Sequence, residues 1–139
     1  MITFLSEYIR HPRTTGAIAP SSKYLARKMA EQINYKKTQT IVELGPGTGV
    51  FTKEILKRKA PDTTFILIEI NETFVKQLQK EFKHIPHFHI IHGSAENMKD
   101  YLKELNLTTI DVVISGLPFA SMPSTVSKNI LKKVSHCLD

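Results

Sequence analysis

The sequence lacks the features that mark disulfide-rich, membrane-spanning and secreted proteins. It has one cysteine, Cys137, and no tryptophan. A single cysteine excludes a disulfide within the chain and favours a reducing compartment. No segment approaches the roughly 18 consecutive apolar residues of a transmembrane helix, and the first residues lack the pattern of a secretion signal. We therefore expect a cytoplasmic protein, with one folded unit at 139 residues.

Acidic residues are scarce at the start of the chain. Residues 1–40 contain only Glu7 and Glu31, against seven Lys or Arg, so most of the net charge of +6 falls there. A positive field of this kind attracts phosphates of lipid head groups or RNA, and a solvated basic face is the alternative. We predict that residues 1–36 form a basic helical segment, acting either as a lid over a ligand site or as a membrane-interface element.

Four apolar segments have the composition of buried strands. Continuous apolar runs suit strands that are covered on both faces. Their alternation with helical patterns is typical of an α/β domain with a parallel sheet. We place this domain at residues 37–139. The predicted strands are Thr40–Leu44, Thr63–Ile70, Phe88–His92 and Ile110–Ser115.

Helical periodicity appears before, between and after these strands. Apolar residues three or four positions apart mark the buried face of each helix, and Asn71 has the position of an N-cap. The predicted helices cover residues 1–9 and 21–33, three segments that begin near Phe51, Asn71 and Met98, and residues 124–138.

The most specific motif is Glu43-Leu-Gly-Pro-Gly-Thr-Gly49, where the first predicted strand turns into a helix. Glycines there permit a sharp turn and the close approach of a ligand. Glu69 ends the second strand, and a carboxylate at that position can accept hydrogen bonds from ribose hydroxyls. The G-x-G-x-G spacing fits a dinucleotide poorly, because Val50 stands where the last glycine of G-x-G-x-x-G would fall. A tight turn that binds nothing is the alternative.

Residues Glu43–Gly49 resemble the first motif of class I S-adenosylmethionine-dependent methyltransferases. The resemblance implies a Rossmann-like fold with S-adenosylmethionine as the cofactor. It places the methionine part of this methyl donor over the glycine loop and its ribose on Glu69, with Glu43 as a polar anchor. The implied donor-contact residues in these two segments are Glu43, Gly45, Gly47, Thr48, Gly49, Glu69 and Ile70.

Gly93-Ser-Ala-Glu96, after the third predicted strand, resembles the Gly-Asp-Ala segment of the same family. There the acid meets the adenine amino group, and Ser94 stands in its place here. The resemblance implies adenine contacts from Ser94, from the Ala95 amide and from Glu96. Capping of the following helix by Ser94 is an equal alternative.

Ser115-Gly-Leu-Pro-Phe119 resembles the Asn-Leu-Pro-Tyr or Phe motif of rRNA adenine dimethyltransferases and the Ser-Ser-Leu-Pro motif of bacterial phospholipid N-methyltransferases. The resemblance places Ser115 beside both donor and acceptor. Ser115 and the carbonyls of Gly116 and Leu117 would orient the acceptor amine, with Phe119 as a wall and Tyr8 as a proton acceptor. Gly116 stands at the Asn position, which argues against adenine as the acceptor.

Residues 4–13 and 15–22 resemble the start of the phospholipid N-methyltransferase family. We therefore interpret the chain as an enzyme that methylates an amine, with a phosphatidylethanolamine-type head group favoured over rRNA adenine. The expected partners are the methyl donor and an anionic membrane surface at the inner face of the membrane, with RNA less favoured. A donor-binding module without turnover is the third interpretation.

Class I methyltransferases have seven strands, and no strand is predicted after Ile110–Ser115. We therefore expect a truncated fold in which that segment is a bare sheet edge. Such an edge would pair with a second copy, which predicts a homo-oligomer with weak or absent catalysis.

Four histidines, at positions 84, 87, 89 and 92, are close in sequence. They straddle a turn and both faces of a strand, so no metal site is predicted.

Overall fold

The computed structural model describes residues 2–4 and 20–138. Five parallel strands form one sheet in the order β1-β5-β2-β3-β4, and helices cover both faces, which confirms the predicted α/β class. The strands are β1 (Ile2–Phe4), β2 (Thr40–Leu44), β3 (Thr64–Glu69), β4 (Phe88–His92) and β5 (Val112–Ser115). The helices are α1 (Pro20–Ala30), α2 (Val50–Arg58), α3 (Glu72–Glu81), α4 (Met98–Glu104) and α5 (Ser124–Cys137), with 3-10 turns at Ala95–Asn97 and Phe119–Ser121.

Side chains alternate between two cores along each central strand. On β2, Ile41 faces a core that it shares with α1, α2 and α3. On the opposite face of β2, Val42 and Leu44 contribute to a second core, shared with α4 and α5. Burial on both faces explains why β2, β3 and β5 are apolar almost throughout.

The local signals for the helices around the site are confirmed. Asn71 caps α3, because its side-chain oxygen accepts a 3.1 Å hydrogen bond from the Phe74 amide. Lys57 and Arg58 lie in the last turn of α2, where positive charge complements the helix dipole. Each helix follows the carboxyl end of a strand through a short loop, residues 45–49 before α2 and residues 70–71 before α3, and these loops carry the candidate site.

The predicted helix at residues 1–9 is wrong at its start. Ile2–Phe4 is strand β1, which pairs in parallel with β5 through Ile2 and Val113, Thr3 and Ile114, and Phe4 and Ser115. Isoleucine, threonine and phenylalanine favour extended backbone. Pairing here also satisfies backbone groups of β5 that would otherwise be unpaired. The remainder of that predicted helix lies outside the described residues.

The predicted bare edge at Asp111–Ser115 is also wrong, because β5 lies between β1 and β2. The physical reason for self-association through that strand is thereby removed. The strand itself begins at Val112, while Ile110 forms an isolated bridge with Leu138.

The region between α1 and β2 joins the core. Helix α1 ends at Ala30, earlier than the predicted Ile33, yet Ile33 is buried with Ala26 and Ala30 in the first core. The division of the chain at residue 36 stays a prediction. Among the described residues, no helix has both the length and the apolar character that crossing a membrane requires.

Candidate functional site

The carboxyl ends of the four longer strands meet at one edge of the sheet. Leu44 at the end of β2 is in register with Ser115 of β5, and Glu69 of β3 is in register with His92 of β4. In open α/β sheets this edge is where ligands bind. The parallel topology therefore brings together the segments near residues 45, 69, 94 and 115 that the sequence selected separately.

The loop after β2 depends on left-handed backbone. Gly45, Gly47 and Gly49 have φ of 66°, 58° and 86°, which costs other residues energy. A Cβ on Gly45 would lie 2.7 Å from Leu117 Cδ2, and one on Gly49 would lie 3.0 Å from Leu78 Cδ2. Packing within the protein thus explains why Gly45 and Gly49 are glycines. Contact of the three glycines with a ligand stays a prediction.

Glu69 ties that loop to the start of α3. Its Oε1 accepts a 2.9 Å hydrogen bond from the Gly47 amide, and its Oε2 accepts one of the same length from the Asn71 amide. The residue is only 5% exposed. A carboxylate offers about four lone-pair positions, so both oxygens keep acceptor capacity for a further pair of hydroxyl groups.

Ile70 follows Glu69 and is 67% exposed, the largest exposed fraction among the large apolar side chains described. Its carbonyl oxygen is 3.1 Å from His92 Nε2. An exposed apolar side chain next to a carboxylate offers a flat ligand both a hydrogen-bonding edge and an apolar surface.

Glu43 is more deeply buried than the sequence suggested, with 1% of its surface exposed. It lies beneath the first turn of α2, where its Oε1 accepts a 2.6 Å hydrogen bond from Thr52 Oγ1. Burial raises the pKa of the Glu43 carboxyl to about 8, and the charge of Glu69 also raises it. Glu43 therefore carries a proton at neutral pH, and its role as an anchor for a ligand stays a prediction.

Thr52 was missed by the sequence reasoning. Its only signal is its position three residues after Gly49, within the first turn of α2. A threonine there is unremarkable in a sequence, because many residues occupy that turn. Only the fold shows that its hydroxyl faces the Glu43 carboxyl.

At the end of β4, the structure gives Ser94 a capping role. Its Oγ accepts a 3.1 Å hydrogen bond from the Glu96 amide and caps the turn Ala95–Asn97. Glu96 is attached to α5, since its carboxylate accepts from Asn129 and its carbonyl accepts from Lys133. Capping is thus the role that the geometry gives Ser94, and adenine contacts from Ser94, Ala95 and Glu96 stay predictions.

At the end of β5, Ser115 is 1% exposed, and its Oγ accepts a 3.2 Å hydrogen bond from the Leu117 amide. The Gly116 amide donates to the Leu44 carbonyl at 2.8 Å, which joins this loop to the end of β2. The Leu117 side chain covers Gly45, and Phe119 is half-buried. The loop therefore lies directly against the glycine loop, while Tyr8 lies outside the described residues.

Other candidate groups lie apart from this edge or are engaged elsewhere. Within residues 2–4 and 20–138, no three His, Cys, Asp or Glu side chains are placed to hold a metal ion. His84 and His87 adopt left-handed backbone in the turn before β4, with φ of 58° and 55°. Cys137 is buried, and burial raises the pKa of its thiol, which suppresses its reactivity.

The comparisons with known proteins agree on the class of this chain. The family model of the ribosomal RNA adenine dimethylases matches residues 21–137. The chain is 30% identical to the ornithine lipid N-methyltransferase of Singulisphaera acidiphila, over 97% of this chain and 70% of that protein. It is 35% identical to the ribosomal RNA small subunit methyltransferase A of Dehalococcoides mccartyi (strain ATCC BAA-2100), over 81% of this chain but 35% of that protein.

A solved methyltransferase shares the fold. The S-adenosylmethionine-bound amino pentose methyltransferase CalS10 of Micromonospora echinaspora superposes with a TM-score of 0.63 at 14% identity, over 84% of this chain and 46% of that one. One edge of the sheet carries the glycine loop, the acid that ends β3 and the Ser115–Phe119 loop. The chain therefore belongs to the ribosomal RNA adenine dimethylase family of class I S-adenosylmethionine-dependent methyltransferases.

Proposed function

We propose that this protein transfers a methyl group from S-adenosylmethionine to an amine of a lipid head group. The observation that carries this proposal is the extent of the similarity to the ornithine lipid enzyme, which includes 97% of this chain and 70% of that protein. The similarity to the rRNA enzyme covers a smaller share of this chain, 81%. The chain spans 70% of the length of the lipid methyltransferase and 35% of that of the rRNA methyltransferase.

The residues at the sheet edge fit the donor. The ribose would take the free acceptor positions of Glu69, and the adenine would lie on the exposed side chain of Ile70. The methionine part would extend over Gly47 and Thr48 toward Ser115. S-adenosylmethionine, when bound, supplies a methyl group already activated by the positive sulfur.

The loop Ser115–Phe119 is proposed to hold the acceptor. An attacking amine presents N–H groups, which need acceptors such as the carbonyl oxygens of Gly116 and Leu117. Gly116 has no side chain to grip a base, whereas a head-group amine is small enough to be oriented by carbonyls alone. The half-buried ring of Phe119 would form the wall of the acceptor pocket.

The contribution of the protein is chiefly positional. Holding an amine in line with the transferable methyl can supply roughly 7 to 11 kcal/mol of the barrier, and excluding water protects the donor. A strong base is unnecessary once the amine is neutral.

A basic face of α1 and α2 is proposed to lie toward an anionic membrane at its cytoplasmic side. A surface cavity of about 260 Å³ is lined by three basic residues, by Tyr24 and by one acid, Glu54, which pairs with Lys57; the basic residues are Lys23, Arg27 and Lys57. Tyr24 is 52% exposed, with Arg27 and Lys28 each 5.6 Å from its ring centre. Tyrosine and basic side chains suit the level of lipid head groups, where each charge adds about 1 kcal/mol.

Sedimentation with phosphatidylglycerol-containing vesicles would test that orientation. We expect the double variant Lys23→Glu/Arg27→Glu to lose binding. The matched variant Lys99→Glu/Lys103→Glu changes the same charge on α4 and should retain it. Equal binding by both variants would contradict the proposed face.

The second candidate function is N6-methylation of an rRNA adenine, which the family match over residues 21–137 supports. Transfer of radiolabelled methyl to vesicles containing ornithine lipid or phosphatidylethanolamine, compared with transfer to small-subunit rRNA, separates the two. We expect label in lipid only. Label in RNA would favour the second candidate, and donor binding without transfer to either would indicate a binding module.

A further inference from the structure

We propose that Tyr101 makes the donor site specific for adenine. Its phenol oxygen would accept a hydrogen bond from the 6-amino group of the base. The inference rests on the proposed function, because it assigns a base-contacting group to the donor site. Tyr101 is on α4, outside every motif that the sequence analysis selected.

The Tyr101 hydroxyl lies against the backbone at the carboxyl end of β4. A Cβ built on Gly93 would overlap the Tyr101 Oη and would lie 2.8 Å from its Cζ. Gly93 therefore leaves the space that the hydroxyl occupies. The Gly93 amide donates a 3.0 Å hydrogen bond to the Glu69 carbonyl, so the phenol group is beside the strand that carries the ribose acceptor.

This hydroxyl has no hydrogen-bond partner in the part of the chain that the structure describes. No completely buried side-chain oxygen or nitrogen there lacks a partner, so the Tyr101 Oη must be accessible to solvent. The ring itself is half-buried and packs against the second core. The structure thus places a phenol hydroxyl that is neither completely buried nor hydrogen-bonded beside the end of β4.

The neighbouring polar side chains are already engaged. The Ser94 oxygen accepts from the Glu96 amide, and the Glu96 carboxylate accepts from Asn129. The His92 ring is within hydrogen-bond distance of the Ile70 carbonyl. Of these four side chains at the end of β4, only that of Tyr101 makes no hydrogen bond within the described part of the chain.

The position suits the base of a nucleoside whose ribose is held by Glu69. Glu69 and His92 are register partners on β3 and β4, and neighbouring strands are about 4.8 Å apart. A base that extends over Ile70 from the ribose reaches the end of β4, where Gly93 and Tyr101 meet. A phenol oxygen can accept from the amino group of adenine.

Replacement of Tyr101 by phenylalanine removes the hydroxyl alone. We expect Tyr101→Phe to weaken binding of S-adenosylhomocysteine, measured by calorimetry, by roughly 3- to 10-fold, the usual worth of one neutral hydrogen bond. Binding of the analogue whose base is unsubstituted purine should be unchanged, because it lacks the amino group. Tyr35→Phe, which removes a phenol hydroxyl that donates to the Ala30 carbonyl, is the matched control and should change neither affinity.

Gly93→Ala provides a second variant, since its methyl group would displace the phenol group without removing it. We expect the same selective loss for the adenine ligand, with thermal unfolding used to confirm that both variants fold. Equal affinities of Tyr101→Phe and the wild type for S-adenosylhomocysteine would overturn the inference, as would equal losses for both ligands. Failure of the wild type to bind S-adenosylhomocysteine would instead overturn the proposed function.

Discussion

The amide of Gly47 donates a 2.9 Å hydrogen bond to Oε1 of Glu69, across the gap between the ends of β2 and β3. The two parts of the candidate donor site therefore form one unit before any ligand is present. The second oxygen of Glu69 holds the first residue before α3 in the same way. This arrangement limits the reorganisation that a nucleoside must impose when it binds.

The buried Glu43 should make the stability of the protein depend on pH. Its pKa is raised to about 8 in the folded state, so between pH 4.5 and 8 the folded chain binds more protons than the unfolded chain. Glu43 therefore contributes its full share to the free energy of unfolding below pH 4.5, the ordinary pKa of a glutamate. This contribution decreases by up to about 1.4 kcal/mol per pH unit as pH rises toward 8.

Urea unfolding at pH 5, 6, 7 and 8 measures this dependence. We expect Glu43→Gln, which cannot titrate, to lose most of the decrease that the wild type shows across the series. An identical slope for Glu43→Gln and wild type would mean that Glu43 is ionised in the folded protein.

The Thr52 hydroxyl should matter through its 2.6 Å hydrogen bond to Glu43. Thr52→Val keeps the shape of the side chain and leaves a buried carboxyl oxygen without its donor, so we expect the free energy of unfolding to fall by about 1 to 3 kcal/mol. Thr52→Ser restores a hydroxyl and should recover most of the loss. An unchanged free energy of unfolding in Thr52→Val would show that the hydroxyl does not stabilise the protein.

Gly45 should not tolerate a side chain. Its φ of 66° is left-handed, and an added Cβ would lie 2.7 Å from Leu117 Cδ2. We expect Gly45→Ala to lower the free energy of unfolding by more than the 1 to 2 kcal/mol that left-handed backbone costs.

The addition of Leu117→Ala tests the origin of that loss, because it removes the contact while leaving the backbone cost. The double variant should lose less stability than the sum of the single variants, as measured by urea unfolding. Strict additivity would show that Leu117 and the loop at Gly45 are not in contact.

The parts of the fold that follow from short-range patterns could be predicted from the sequence. Strands Thr40–Leu44 and Phe88–His92 have the predicted bounds, and Asn71 caps α3 as its position indicated. These features depend on residues that are neighbours in the chain, so a local pattern carries the information.

The features that depend on distant partners could not be predicted. Strand β1 is three residues long, too short for a periodic pattern, and it is defined by pairing with β5 more than 100 residues away. The contact between Thr52 and Glu43 and the packing of Tyr101 on Gly93 arise only when helices settle on the sheet. Their residue types are common in helices, so the sequence alone gives no sign of them.

The role of Glu69 is most directly tested with a matched pair of variants. Glu69→Ala removes the carboxylate at the sheet edge, whereas Glu72→Ala removes an exposed one from the first turn of α3, where it pairs with Lys76. Hydrogen bonds to a charged group are worth about 1.5 to 3 kcal/mol, which corresponds to a loss of affinity of roughly 10- to 100-fold.

Calorimetric titration of S-adenosylhomocysteine into the wild type and both variants provides the decisive measurement. We expect one binding site in the wild type, an unchanged affinity in Glu72→Ala and at least a tenfold weaker affinity in Glu69→Ala. No binding by the wild type, or equal affinities of Glu69→Ala and wild type, would contradict a nucleoside donor site at this edge of the sheet.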